Sequence, residues 1–223
     1  MLPRVIVYNA VSLDGRIDWF TPDIGQFYGL AAHWQEDATL AGSETIVQAE
    51  QEAPEDEPSA SAPGRPADDP RPLLVIVDSR GRVRRWHLWR SSEYWRDVVA
   101  VCSHSTPRKH LDTLGELQVP CIVAGTDRVD LRAALEELTT RFAVKTVRVD
   151  SGGTLNGALL RAGLVDEVSV LVHPCLVGGM TPRSWFRAPD LTTSEGVVPL
   201  KLTHTERLES DVLWLRYDAV KSL

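Results

Sequence analysis

The stretch Val147-Arg-Val-Asp-Ser-Gly-Gly-Thr-Leu-Asn-Gly-Ala-Leu-Leu160 decides the fold, because it reads as a strand, a glycine turn and the first turns of a helix. A chain that turns on paired glycines straight into a helix aims its backbone N–H groups at one spot, with the positive end of the helix behind them. That is the make-up of an anion site, with phosphate as the guest. Gly152 and Gly153 allow the tight turn and let a ligand approach the backbone. Thr154 adds a hydroxyl, and Leu155, Leu159 and Leu160 are spaced to bury one helix face. The competing reading gives the glycines a purely geometric job.

A second stretch repeats this physics. Residues 37–41 read as a short apolar strand, and Gly42-Ser43-Glu44-Thr45-Ile46-Val47 follows as another glycine turn opening another helix. Two strand-glycine-helix junctions could hold the two halves of a pyrophosphate between them, which a single junction cannot argue, and the pattern favours a nucleotide.

Outward from these junctions the chain alternates between strand and helix. Residues 4–12 are β-branched and apolar without clean alternation, as expected of a central strand covered on both faces. Asp14-Gly15 marks a turn, and Phe27, Leu30, Ala31 and Trp34 form a helical stripe over residues 26–36. Residues 50–72 combine acidic residues with proline, alanine and serine, which predicts a solvated acidic loop. Residues 73–77, 97–102, 119–123 and 165–173 read as buried strands. Asp130 is the N-cap of an amphipathic helix carrying Leu131, Ala134, Leu135 and Leu138, and Gly163 ends the helix of the anchor stretch. Residues 200–208 and 212–220 alternate around Glu209-Ser210-Asp211 as a terminal antiparallel hairpin. The expectation is an α/β fold: a mostly parallel central sheet of roughly eight or nine strands, about five helices on both faces, and a C-terminal hairpin, all in one domain spanning 1–223.

Side chains at the strand ends add candidates. Asp78-Ser79-Arg80-Gly81-Arg82 ends the third strand and leads to Arg84, Arg85 and Arg90; guanidinium groups there suit a phosphate monoester such as the 2′-phosphate of NADP. A solvated basic face is the alternative for any one of these arginines. Trp86, Trp89, Tyr94 and Trp95 either floor a flat substrate or join the core. Ser103, His104, Ser105 and Thr106 stand at a carboxyl strand end, where ligands bind in open α/β sheets, although Thr106 also fits a helix cap.

A formal charge of −7 argues against a nucleic-acid partner. No apolar run approaches the ~20 residues of a membrane span, and no secretory leader is recognisable, so a soluble cytoplasmic protein is expected. Cys102, Cys121 and Cys175 stand far apart and the six histidines lack ligand spacing, which predicts no metal site.

Several stretches, in order, resemble the reductase domain of the riboflavin-biosynthesis deaminase-reductase and its stand-alone relatives, which share the dihydrofolate reductase fold. They are Ser12-Leu-Asp-Gly-Arg-Ile17, Asp37-Ala-Thr-Leu-Ala-Gly-Ser-Glu-Thr-Ile46, Val75-Ile-Val-Asp-Ser-Arg80, Asp150-Ser-Gly-Gly-Thr-Leu-Asn-Gly157, Gly163-Leu-Val-Asp-Glu167 and Pro174-Cys-Leu-Val-Gly-Gly179. The resemblance implies NADPH, with Gly42, Ser43 and Thr45 and Ser151, Gly152, Gly153, Thr154 and Leu155 at its pyrophosphate. Asp78, Ser79 and Ser103 would lie near the adenosine end, and Ala10 and Ser12 would border the nicotinamide and substrate. It implies a phosphoribosylamino-pyrimidinone substrate, reduced at its open-chain ribose carbon, and a homodimer. Asp150 stands where the family usually has Glu and is the candidate proton-handling or positioning acid, with helix capping or ribose binding as alternatives. Ser12 and Asp14 complete the candidate catalytic set, Asp14 also suiting a turn-holding role. Tyr8 or Asn9 replaces a common family Lys, and Ala49-Glu50-Gln51 replaces Asp-Asp-Pro, both near substrate positions. A reductase of another small carbonyl, imine or pterin-like metabolite, and a non-catalytic nucleotide-binding module, stay open as alternatives.

Overall fold

The computed structural model of the chain describes residues 1–53, 66, 69–180 and 183–220. In chain order its elements are β1 (Arg4–Ser12), α1 (Ile24–Ala31), β2 (Ala38–Gly42), α2 (Ser43–Glu52), β3 (Leu73–Val77), α3 (Trp86–Ser91), β4 (Asp97–Cys102), α4 (Arg108–Glu116), β5 (Cys121–Val123), α5 (Leu131–Phe142), β6 (Thr146–Val149), α6 (Gly153–Arg161), β7 (Glu167–His173), β8 (Leu200–Arg207) and β9 (Leu213–Ala219). This is an α/β fold with a mostly parallel sheet of nine strands and a C-terminal antiparallel hairpin. Parallel neighbours need long crossovers, which the helices between strands supply.

The chain divides into two compact units, one of Met1–Pro3 with Glu36–Val147 and one of Arg4–Gln35 with Arg148–Leu223. In the first unit β2 pairs with β3, β3 with β4 and β4 with β5, all parallel. Its core packs Ile76, Val98 and Ala100 from the strands against Ile46, Trp86 and Leu114 from the helices. Burying one side chain of that size contributes about 1.5–3 kcal/mol. Trp86 therefore belongs to the core and does not floor a ligand. It opens α3, a sixth α-helix among the described residues, where about five were expected.

In the second unit β1 pairs in parallel with β7, which pairs antiparallel with β9, and β9 with β8. The stripe is buried as read, Phe27, Ala31 and Trp34 with Leu30 packed beside them, but the helix is shorter than the expected 26–36: α1 ends at Ala31, and Trp34 closes a 3-10 turn over 32–34. Tyr8 sits fully buried at their centre, its ring 4.4 Å from that of Phe27, and its hydroxyl donates to the Phe27 carbonyl at 2.9 Å. Burial pushes the Tyr8 hydroxyl pKa well above its ordinary value, with Arg148 opposing the shift.

Two local expectations are corrected. The acidic loop does not begin at residue 50, because α2 runs to Glu52 and the Glu50 side chain is buried. Its carboxylate accepts from the Arg85 backbone N–H at 2.8 Å and from Trp89 Nε1 at 3.3 Å, so an acid read as solvated ties α2 to the start of α3. Residues 54–65 and 67–68 of that loop lie outside the described residues. The hairpin forms where expected, yet β8 has no buried side, and every residue of it except His204 is exposed. Alternation along β8 thus has no buried face within the chain to match.

Candidate active site

The carboxyl end of β6 carries the most distinctive polar group of the second unit. Arg148 sits inside the strand with a side chain only 2% exposed, and its Nη1 lies 3.1 Å from Asp150 Oδ2. The Tyr28 hydroxyl is 3.4 Å from the same oxygen, and the Arg148 guanidinium lies 5.9 Å from the Tyr28 ring centre. The Asp150 side chain is 27% exposed and Tyr28 is exposed. A carboxylate open to solvent is thereby fixed by a buried cation and an exposed phenol. Asp150 does not cap α6, since the N-cap is Gly152 and no side chain caps this helix. That removes the capping alternative for Asp150. The missed signal was Arg148, a cation inside an apolar strand two residues before the acid.

Behind this carboxylate lies a buried amide pair. Asn156 Nδ2 donates to Asn9 Oδ1 at 2.8 Å and to the Trp185 carbonyl at 2.8 Å. Asn9 Nδ2 donates to the Ser151 carbonyl at 3.0 Å. Polar groups this deeply buried are retained when paired, and here they lock the turn at Ser151 onto β1. Asn156 was not singled out in the sequence, although it lies in the anchor stretch, and Asn9 was noted only as a position where a common family Lys is replaced.

The glycines of the anchor stretch divide their labour differently from the expectation. Gly152 has an ordinary extended backbone, φ −79° and ψ 174°, and a Cβ there would meet only Ile17 Cδ1 at 3.7 Å. At Gly153 a Cβ would come 2.1 Å from the Ser184 carbonyl oxygen, and at Gly157 1.8 Å from that of Arg187. The Arg187 N–H donates to the Gly153 carbonyl at 2.8 Å. The space beside Gly153 is therefore filled by the protein's own segment, which corrects its reading as room for a ligand. Thr154 is exposed, whereas the Leu155 side chain is buried and can offer a ligand only its backbone.

Ser12 and Asp14 form a local clasp. Ser12 is buried; its hydroxyl donates to Asp14 Oδ1 at 2.6 Å and accepts from the Arg16 N–H at 3.0 Å. Asp14 also accepts from the N–H groups of Val177 at 3.1 Å and Gly178 at 2.7 Å. These hydrogen bonds, that of Ser12 first, hold the Asp14 carboxyl down at about 2. Both candidates are thus engaged in holding the loop after β1 to the loop after β7. Ala10 is half-buried on β1, opposite Leu171.

In the first unit, Gly42 is the N-cap of α2 in extended backbone, again with no side-chain cap. Ser43 is buried and its hydroxyl accepts from Arg82 Nη2 at 3.0 Å, while Thr45 is exposed. Asp78 has no exposed surface at all, and its Oδ2 accepts from the Val83 N–H at 2.9 Å. This fixes the loop after β3, and the Asp78 side chain, expected near the adenosine end, is turned wholly into the protein. Ser79 Oγ accepts from the Val129 N–H at 3.1 Å. Ser103 is fully buried beside Ser105 and Thr106. Thr106 does not cap α4, whose N-cap is Pro107; its hydroxyl instead donates to the Ser79 carbonyl at 3.0 Å. Arg80 is exposed and has no polar partner among the described residues. Among those residues no group of three or more His, Cys, Asp or Glu could hold a metal ion, and no helix is long and apolar enough to cross a membrane.

Parallel β-α units, a mixed sheet closed by a C-terminal hairpin and a carboxylate just before an uncapped helix define an α/β protein of the dihydrofolate reductase-like class. The fold is shared with RibD of Acinetobacter baumannii, form 2, at a TM-score of 0.72 and 23% identity over 98% of this chain and 58% of that one. It is shared equally with a pyrimidine reductase-like protein of Corynebacterium diphtheriae, at 0.72 and 17% over 99% and 93%.

The chain belongs to the RibD C-terminal domain family, which matches residues 3–214. A relative in Methanothermobacter thermautotrophicus, named 2,5-diamino-6-ribosylamino-4(3H)-pyrimidinone 5′-phosphate reductase, is 28% identical over 96% of this chain and 97% of its own length. A protein of the same name in Archaeoglobus fulgidus is 31% identical over 80% and 84%. The riboflavin biosynthesis protein RibD of Actinobacillus pleuropneumoniae is 24% identical, and the chain spans only 56% of its length.

Proposed function

We propose that the protein is an oxidoreductase of riboflavin biosynthesis, an NADPH-dependent reductase of a phosphoribosylamino-pyrimidinone. The observation that carries this reading is coextension: the Methanothermobacter relative named as a ribosylamino-pyrimidinone 5′-phosphate reductase aligns over 96% of this chain and 97% of its own. Residues 1–223 then act as one reductase domain, in the cytoplasm.

The residues suit such a cofactor. The N-caps of α2 and α6 are glycines without a side-chain cap, so the first turns at Gly42, Ser43 and Thr45 and at Ser151, Gly152, Thr154 and Leu155 suit phosphate, with Gly153 able to offer only its backbone N–H. Arg80 offers an exposed fork of donors to a 2′-phosphate, beside Ser79. When bound, NADPH supplies a hydride for C1′ of the open-chain imine, whose nitrogen takes one proton to give the ribitylamino product. Asp150 is assigned to handling or orienting that proton, because it is a solvent-accessible acid fixed by Arg148 and Tyr28. Ser12 and Asp14 are assigned to shaping the loop after β1, and Ala10 to bordering the nicotinamide.

Mixing purified protein with NADPH and the phosphoribosylamino-pyrimidinone should deplete absorbance at the reduced nicotinamide band. Cofactor binding without depletion would reject this substrate and redirect the search to other small carbonyls and imines. We also propose a homodimer, for which the exposed β8, with Leu200 and Leu202 open to solvent, is the natural surface. A sedimentation mass of one chain at micromolar concentration would refute it.

A further inference from the structure

The loop after β3, residues 78–85, alternates in exposure. Arg80, Arg82 and Arg84 face solvent, whereas Asp78, Gly81 and Val83 face inward. Asp78 and Gly81 face His110, on the first turn of α4. Gly81 has φ +61°, and a Cβ on it would meet His110 Cγ at 2.8 Å, so the turn lies directly on the imidazole. Arg84 Nη1 donates to the Gly81 carbonyl and stands 3.4 Å from His110 Nδ1. An arginine donor on that side assigns the imidazole proton to Nε2, which faces Asp78 Oδ2 at 3.7 Å. Asp78 in turn holds the Val83 N–H at 2.9 Å and, through its own carbonyl, the Gly81 N–H at 3.2 Å.

This polar pair is expensive where it sits. Asp78 and His110 are both buried, the His110 ring 6.0 Å from that of Trp86, and Asp78 Oδ1, Trp86 Nε1 and His110 Nε2 itself have no hydrogen-bond partner among the described residues, so the attraction between His110 and Asp78 is electrostatic across 3.7 Å. Burial lowers the His110 pKa against the pull of Asp78. A leucine or methionine there would pack without that cost. The pair holds both ends of the loop's turn, and the loop's one exposed cation without a polar partner among the described residues is Arg80.

We propose that His110 is a positioning residue for cofactor preference: with Asp78 it fixes the backbone of residues 79–84 so that Arg80 is presented to a phosphate monoester on the cofactor's ribose. The inference rests on the NADPH reading above and adds the residue that would enforce it.

The test is the affinity of the purified protein for NADPH and for NADH, read from nicotinamide fluorescence, in wild type, His110→Leu and His110→Gln. Leucine removes both polar edges of the ring, whereas the glutamine amide can still donate towards Asp78 and accept from Arg84. His110→Leu should weaken NADPH about tenfold, the worth of one misplaced charge-assisted hydrogen bond, and leave NADH within about twofold. His110→Gln should restore most of the NADPH affinity. A folded His110→Leu protein in which both cofactors weaken alike, or in which neither does, overturns the proposal.

A measurement on wild type covers the case of a variant that does not fold. The His110 ring resonances should move when adenosine 2′,5′-bisphosphate is titrated in and stay put with adenosine 5′-monophosphate; equal or absent shifts overturn the proposal. A wild type that does not prefer NADPH to NADH defeats the cofactor reading and the proposal together, whereas a preference indifferent to His110→Leu defeats the proposal alone.

Discussion

The two strand-glycine-helix junctions read alike as sequence and are packed differently. At the first, Gly42 turns into α2 and the next residue, Ser43, receives Arg82 from the loop after β3. At the second, Gly152 turns into α6, but Gly153 and Gly157 exist because residues 184–187 lie against the helix at distances no Cβ could share. Glycine marks a place where something comes close to the backbone; it does not say whether that something is a ligand or the chain itself. Of the two adjacent glycines, Gly153 is approached by the chain itself, whereas an added Cβ at Gly152 would meet only Ile17 Cδ1 at 3.7 Å.

The comparison breaks most visibly at Gly157. Replacing Gly157 by Ala puts a methyl 1.8 Å from the Arg187 carbonyl oxygen, and the backbone must move to admit it. The expected loss is about 3 kcal/mol in urea denaturation. Gly29→Ala, a helix position with nothing within 4 Å, is the matched control and should not lose stability. A Gly157→Ala protein as stable as wild type would mean that residues 184–188 do not pack on α6.

The chemistry assigned to the second junction comes next in size. Asp150→Asn keeps the shape and removes the ionisable group, so turnover of the pyrimidinone should fall about a hundredfold, with cofactor affinity little changed. An unchanged turnover number would leave Asp150 a purely structural partner of Arg148.

Much of this architecture was legible because its signals are local. Asp130 accepts from the Ala133 N–H as an N-cap should, and Gly163, at φ +64°, ends α6 as the sequence pattern indicated. The Phe27, Ala31 and Trp34 stripe needed only the helical period. What stayed hidden depends on partners far along the chain. Glu50 looked like part of an acidic loop because its partners, the Arg84 and Arg85 N–H groups, come 34 and 35 residues later. Gly153 looked like a ligand's glycine because Ser184 cannot be placed beside it from spacing. Asp78 was expected near the adenosine end, but its burial, and the place of His110 against it, follow from tertiary packing alone. Composition could place the charges; it could not say which were buried.

Gly152 sharpens the contrast with Gly153. A methyl at Gly152 would touch only Ile17 Cδ1, at an ordinary 3.7 Å, and the backbone there suits any residue. Gly152→Ala should therefore fold within about 0.5 kcal/mol of wild type. If the cofactor's phosphates approach that backbone, the same variant should bind NADPH about tenfold more weakly. Unchanged affinity in a normally folded Gly152→Ala protein would remove residues 151–155 from the cofactor site.

The smallest effect belongs to Asp14, whose carboxylate holds Val177 and Gly178 to the loop after β1. Its pKa falls from an ordinary 3.8 to about 2 in the folded protein. A depressed folded-state value means that the unfolded chain takes up this proton first as pH falls. The contribution is whole above 3.8 and is lost as pH drops through about 2. Asp14→Asn lacks that proton equilibrium, so its melting temperature should lie below that of wild type at neutral pH, and the gap should narrow between pH 4 and pH 2. Comparing the variant with wild type, rather than following wild type alone, cancels the other carboxylates that titrate in the same range. A gap that stays constant through that window would show that Asp14 holds the two loops by shape and not by charge, and the clasp would then be no more polar in its energetics than the glycine packing on α6.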